Sequence, residues 1–231
     1  MPKSLASLAA TLCFMGALGP ATARGRVDLT PNLHSVAVIS LLGDFLQALS
    51  GKRVATPDAG FDAMCEKTIS DQISADAPHA VVTTVDLPRD KLLDDIYPKA
   101  GFGDIGMERI RGDLELWAAT HSIDFIVILR KVVGVADPEA FIKFVSFGIG
   151  LVPFETSAAP NSDETAAFLN ITVLDGKTLE VVNDLSVRDV GWGSIHYARN
   201  DPTPEHLPTL VSDSKDMLQS IVPALTREVG F

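Results

Sequence analysis

Residue types able to do chemistry are present in this chain, but few stand at spacings that chemistry demands. The five histidines are His34, His79, His121, His196 and His206. None lies in an H-x-x-x-H or similar close pair, so a rigid metal-ligand set is not expected. His196, Asp201, Glu205 and His206 fall within eleven residues, yet Pro202 and Pro204 make that segment a loop. Nucleophile motifs are equally sparse: there is no G-x-S-x-G elbow, no S-x-x-K and no C-x-x-C. Cys65 falls on an apolar helical stripe and is expected to be a small core residue. Gly101 to Gly106 (GFGDIG) matches the dinucleotide pattern G-x-G-x-x-G, but it follows an amphipathic stretch instead of a buried strand. Asp104 would also set a negative charge against the phosphates, so a plain loop between helices is expected there. A carboxylate crowd (Asp86, Asp90, Asp94, Asp95, Asp104, Glu108, Asp113, Glu115) has no calcium-loop spacing and reads as solvated helix faces. No cofactor, no metal site and no catalytic residue is assigned. The hydrolase alternative would use Asp44, Asp86 and His196 near strand ends.

One apolar segment stands out instead. Phe141 to Phe154 (FIKFVSFGIGLVPF) holds four aromatic rings and one charge, Lys143. Asp137-Pro138-Glu139 before it resembles a helix start, and Gly148 and Gly150 would break that helix. Either the segment is a helix and turn packed on a sheet, or it is a partly exposed flap. In the second case Phe141, Phe144, Phe147 and Phe154 form a contact surface for an envelope protein or a small apolar ligand.

The elements that must position these residues follow from hydrophobic period. His34 to Leu42 is a strand buried on both faces, and Phe45 to Ala55 continues as a second strand with a turn at Ser50-Gly51. Phe61, Cys65, Ile69 and Ile73 make one helical stripe. Ala80 to Val85 is a strand. Leu92, Leu93 and Ile96 sit on a helix opened by Pro88, and Met107, Ile110, Leu114 and Trp117 on another. Asp124 to Val133 is a second strongly apolar strand. Ala166 to Asp184 reads as a hairpin around Asp175-Gly176, with Asn170 and Thr172 on a less buried face. Gly191-Trp192-Gly193 reads as a turn at a strand end. A C-terminal helix carries Met217, Leu218, Ile221, Leu225 and Val229, with Pro223 inside it. The expected fold is a single α/β domain with a mixed sheet of about five or six strands, packed helices and a C-terminal helix.

Composition bounds the setting. Lys3, the apolar run Leu5 to Leu18, Gly19-Pro20 and Ala21-Thr22-Ala23 follow the order of a secretory signal peptide. Residues 1–23 are thus expected to be cleaved near Ala23, leaving 24–231 as a periplasmic or secreted domain. That mature chain carries 18 Lys+Arg against 30 Asp+Glu, a net charge of −12. Nucleic acid is not expected as a partner of such a surface. Ala10-Thr11-Leu12 before Cys13 lacks the small residue a lipobox needs, so no lipid anchor is expected, and no later segment has the ~20 apolar residues of a membrane span.

The strand Val36 to Ser40, the passage Ala118 to Val127, the hairpin Leu169 to Val182 and the helix Lys215 to Val229 resemble a group of exported bacterial α/β domains. The group includes the amino-terminal domain of TolB and the periplasmic domains of curli-secretion and penicillin-binding-protein-activator lipoproteins. This chain differs in lacking a lipobox, in passing from its first strand to a second strand, and in the extra Phe141–Phe154 segment. The resemblance implies a non-catalytic binding or envelope-assembly accessory module.

Overall fold

Seven residues, Ser35–Leu41, form the strand expected from the first apolar run (β1), and six of them are buried. Val36 and Val38 enter one core and Ala37, Ile39 and Leu41 enter another on the opposite face. A strand buried on both faces must lie inside a sheet covered by two layers. The computed structural model describes residues 27–48, 52–97, 107–135, 145–154, 162–198 and 203–231. Residues 1–26, Gly101–Gly106, Asp201, Phe141 and Phe144 lie outside those residues.

The other strands are Phe45–Gln47 (β2), Arg53–Ala55 (β3), Val81–Thr84 (β4), Phe125–Lys131 (β5), Val133–Val135 (β6), Val145–Phe147 (β7), Ile149–Phe154 (β8), Ser162–Asp175 (β9) and Val181–Ala198 (β10). The helices are Phe61–Asp76 (α1), Arg89–Ile96 (α2), Glu108–His121 (α3) and Leu207–Glu228 (α4). Eight strands form one mixed sheet, in the order β3-β2-β8-β9-β5-β1-β4 with β10 beside β9, and β6 and β7 form a separate pair. β4 and β5 run parallel to β1, whereas β9 runs antiparallel to β5. The long β9 is what joins the two arms. Its residues Leu169 to Asp175 pair with β5 and Ser162 to Ala167 with β8.

The helical stripes fall where their periods place them. Phe61, Cys65, Ile69 and Ile73 of α1 and Met217, Leu218 and Val222 of α4 fill the core on one face. Leu92 and Ile96 of α2 and Ile110, Leu114 and Trp117 of α3 fill the core on the other. The mixed α/β domain and its C-terminal helix are therefore as expected, but the sheet is wider.

Three expectations need correction. The stretch 145–154 is not helical: it forms β7 and β8, turning at Gly148, whose φ is +70°. A short apolar run satisfies either period, and the free edge of β9 supplied hydrogen bonds that favour a strand. The hairpin is far longer than Ala166 to Asp184, and Trp192 sits within β10 between two register shifts instead of in a turn at its end. Finally, Asn170 and Thr172 are buried, each 2% exposed. Their polar atoms are satisfied internally. Thr172 Oγ1 and Asn170 Nδ2 donate to Asp184 Oδ1 of β10, at 2.6 and 2.9 Å, and Arg130 Nε of β5 donates to Asn170 Oδ1.

Candidate functional site

After β1 the chain forms β2 and β3 and then α1 on one face, whereas after β4 it enters α2 on the other. Where departing connections separate in this way, the carboxyl ends of adjacent parallel strands leave a crevice open. A crevice of about 400 Å³ lies at the end of β1, lined by Gly43, Asp44, Phe45, Arg53, Asp90, Leu93, Asp94 and Tyr97.

Beneath it, side chains that hold main chain fix the strand ends, and of these Tyr97 also lines the crevice. Asp62 of α1 accepts from the Leu42 N–H (2.7 Å) and the Gly43 N–H (3.0 Å). Glu66, one turn on, accepts from the Ser40 N–H at 2.9 Å and pairs with Arg89 at the start of α2. Burial pushes the Glu66 carboxyl above its ordinary range, opposed by the Ser40 N–H and the Arg89 charge. Tyr97, fully buried, donates its hydroxyl to the Leu41 carbonyl and accepts from the Lys131 N–H at 2.7 Å, bridging the ends of β1 and β5.

Lys131 is the unusual member. It is 0% exposed, at the point where β5 ends and β8 takes over beside β9. Its Nζ donates to the Phe45 carbonyl, lies 3.5 Å from the Gly43 carbonyl, and stands 3.5 Å from the Phe45 ring centroid. Burial pulls the ammonium down to about 7, with Asp62 and Asp44 favouring the charge and Arg53 opposing it. Arg53 Cζ is also 4.7 Å from the Phe45 ring, so two cations contact one aromatic wall of the crevice. Gly148 closes the other side: a Cβ there would come within 2.5 Å of the Lys131 side chain.

Tyr97→Phe tests this arrangement. It removes the hydroxyl and leaves both the Leu41 carbonyl and the Lys131 N–H buried without their partner, which costs about 1–3 kcal/mol. A urea midpoint equal to that of the unsubstituted protein would show that the bridge contributes nothing.

The sequence-level candidates fare unevenly. Asp44, Asp90 and Asp94 do converge on the crevice. Asp86 is not among its lining; its carboxylate accepts from Trp117 Nε1, and Trp117 stacks on His121 with centroids 4.2 Å apart. His196 has its backbone in β10, and its side chain lies outside what is described, as do those of Phe147 at the end of β7 and Phe154 at the end of β8. Cys65 is 1% exposed, and burial beside Asp62 and Glu66 pushes its thiol far up, as a core cysteine requires. Lys131 and Tyr97 were missed. The one available signal for Lys131 was a lysine ending the apolar run of β5, where alternation sets one residue of Arg130-Lys131 inward. Among the described residues no group of three or more metal-ligating side chains is present, and no helix is long and apolar enough to cross a membrane.

The fold and crevice define a three-layer α/β domain with a cleft of mixed polar and apolar lining at its strand ends. No family model matches this chain, and no curated protein matches it. Among solved structures it is similar to a PelC dodecamer subunit from Paraburkholderia phytofirmans (11% identity, 88% of this chain and 89% of that one, TM-score 0.38). It is also similar to a neuraminyllactose-binding hemagglutinin homolog from Helicobacter pylori (10% identity, 86% of each chain, TM-score 0.40). A lipoprotein from Neisseria meningitidis is a third (13% identity, 81% of this chain and 99% of that one, TM-score 0.33).

Proposed function

We propose that this is an exported, non-catalytic binding protein of the bacterial envelope, with an assembly-accessory role of the TolB or curli-secretion kind. One observation carries the reading: the buried ionisable groups at the strand ends serve the backbone. Asp62 and Glu66 hold N–H groups of β1 and the turn after it, Tyr97 bridges β1 and β5, and Lys131 holds the carbonyls around Asp44. The crevice is lined by Asp44, Arg53, Asp90 and Asp94 together with Phe45, Leu93 and Tyr97, a mixture of charges and apolar groups suited to recognising a protein surface. Such a lining favours a protein partner over a small apolar ligand.

The second contact is the segment carrying Phe141, Phe144, Phe147 and Phe154. Its strand β8 pairs with β2, the strand that carries Phe45, through Gln47 and Gly150. The crevice wall at Phe45 and Phe154 of the aromatic segment thus belong to paired strands. A photo-reactive phenylalanine analogue at position 147, irradiated in intact cells, is expected to yield a discrete adduct with an envelope protein. The same analogue at Leu116, 71% exposed on α3, serves as the control and should yield none. Equal labelling from both positions would overturn the proposed contact. So would unfolding of the purified chain on changing the four phenylalanines to serine, since the segment would then be ordinary core.

A further inference from the structure

β10 is 18 residues long, and β9 occupies its inner edge along that length. Among the described residues no strand pairs with its outer edge. Between Asn183 and Val190 its ladder with β9 is regular, and register shifts flank that stretch on both sides. The outer edge there is an eight-residue uninterrupted row of backbone donors and acceptors, a template for another strand. Alternation divides its residues cleanly. Leu185 and Val187 pack on the core that includes α4, whereas Asp184 and Ser186 are exposed.

The sequence of this edge is complementary to itself. Read antiparallel about Ser186, Val182 meets Val190, Asn183 meets Asp189, Asp184 meets Arg188 and Leu185 meets Val187. Asp184 meets the opposite charge of Arg188 and apolar meets apolar, the cross-strand pairs that stabilise sheets, while the Asn183 amide keeps its own bonds to the Val27 and Val229 carbonyls. Slipping the register by two residues sets Asp184 against Ser186 or Val190 and abolishes both ion pairs. Asp184 Oδ1 accepts from Asn170 and Thr172 of β9, which orders the carboxylate at this position of the strand.

We propose that two copies of this protein pair β10 against β10, antiparallel about a twofold axis through Ser186, into one continuous sheet. The interface is isologous, so each Asp184–Arg188 pair occurs twice. Both α4 helices lie on the same face of the joined sheet, with Leu185 and Val187 of the two copies meeting beneath them.

Native mass spectrometry of the purified protein at tens of micromolar should show twice the chain mass. Arg188→Glu and Asp184→Lys should each give monomer alone, because each sets like charges opposite one another. A 1:1 mixture of the two should recover the dimer, since the mixed pair restores both ion pairs. Asp184→Lys also breaks the bonds to Asn170 and Thr172, so a second measurement leaves Asp184 and its ion pair intact. Ser186→Cys gives up only the bond that Ser186 Oγ accepts from Asn170 Nδ2, places a thiol on the axis beside that of its own copy, and should oxidise to a disulfide-linked dimer. Val181→Cys, exposed on the same strand but off the axis, should not. A monomeric wild-type protein, or equal cross-linking at 181 and 186, would overturn the proposal.

Discussion

Gly150→Val is expected to lower stability by about 3 kcal/mol or more and to detach the wall of the crevice. A Cβ at this position would fall 2.0 Å from the Gln47 carbonyl oxygen and 2.7 Å from the Gln47 nitrogen, both backbone atoms with no rotamer to yield. Gln47 and Gly150 are also the register pair by which β2 joins β8. Any side chain therefore pushes away β2, and with it β3, which together carry Phe45 and Arg53. For a domain of this size, 3 kcal/mol corresponds to a fall in Tm of roughly 6–12 °C. Thermal unfolding followed by circular dichroism reads it. A variant melting within about 2 °C of the unsubstituted protein would show that the two strands can separate further without cost.

The second large effect concerns Lys131 and depends on pH. Its folded ammonium is pulled down to about 7, while in the unfolded chain it titrates near an ordinary lysine value of ~10.4. Between those values the unfolded chain binds more protons than the folded one, so stability must rise with pH. The slope approaches about 1.4 kcal/mol per pH unit, giving roughly 2 kcal/mol between pH 7 and 8.5. Above ~8.5 the unfolded Cys65 thiol begins to ionise while burial keeps the folded one protonated, which acts in the opposite sense. Lys131→Met fills a similar volume without a charge. It is expected to flatten the rise and to raise stability at pH 6 by roughly 1–4 kcal/mol. Parallel profiles for the two proteins in urea titrations would mean that the buried ammonium carries no such cost.

Both effects concern residues whose importance arises from distant chain. Gly150 looks like a helix breaker in FIKFVSFGIGLVPF, and its closeness to Gln47 comes from strand pairing across more than a hundred residues. Lys131 looks like the polar end of an apolar strand. Its burial follows from β5 giving way to β8, with the carbonyls of Gly43 and Phe45 placed to receive it. Asn170 and Thr172 alternate with aliphatic residues as a solvent-facing edge would, but β10 and Arg130 cover and satisfy them. In contrast, Asp44, Asp90 and Asp94 were visible as carboxylates, although not as neighbours.

By itself the sequence determined the class of the fold and most of its local elements. The double-sided burial of β1, the stripe Phe61–Cys65–Ile69–Ile73 on α1, the start of α2 after Pro88, the stripe of α3 and the C-terminal helix are consequences of period and proline placement within single segments. Only the tertiary structure decided the width of the sheet, the strand identity of 145–154, the full length of the β9–β10 hairpin and the meeting of Tyr97, Lys131, Asp62 and Phe45 around one crevice. The reason is physical. Helical stripes are chosen by neighbours three and four residues away, whereas a strand is chosen by whichever edge it finds, and that edge belongs to another part of the chain.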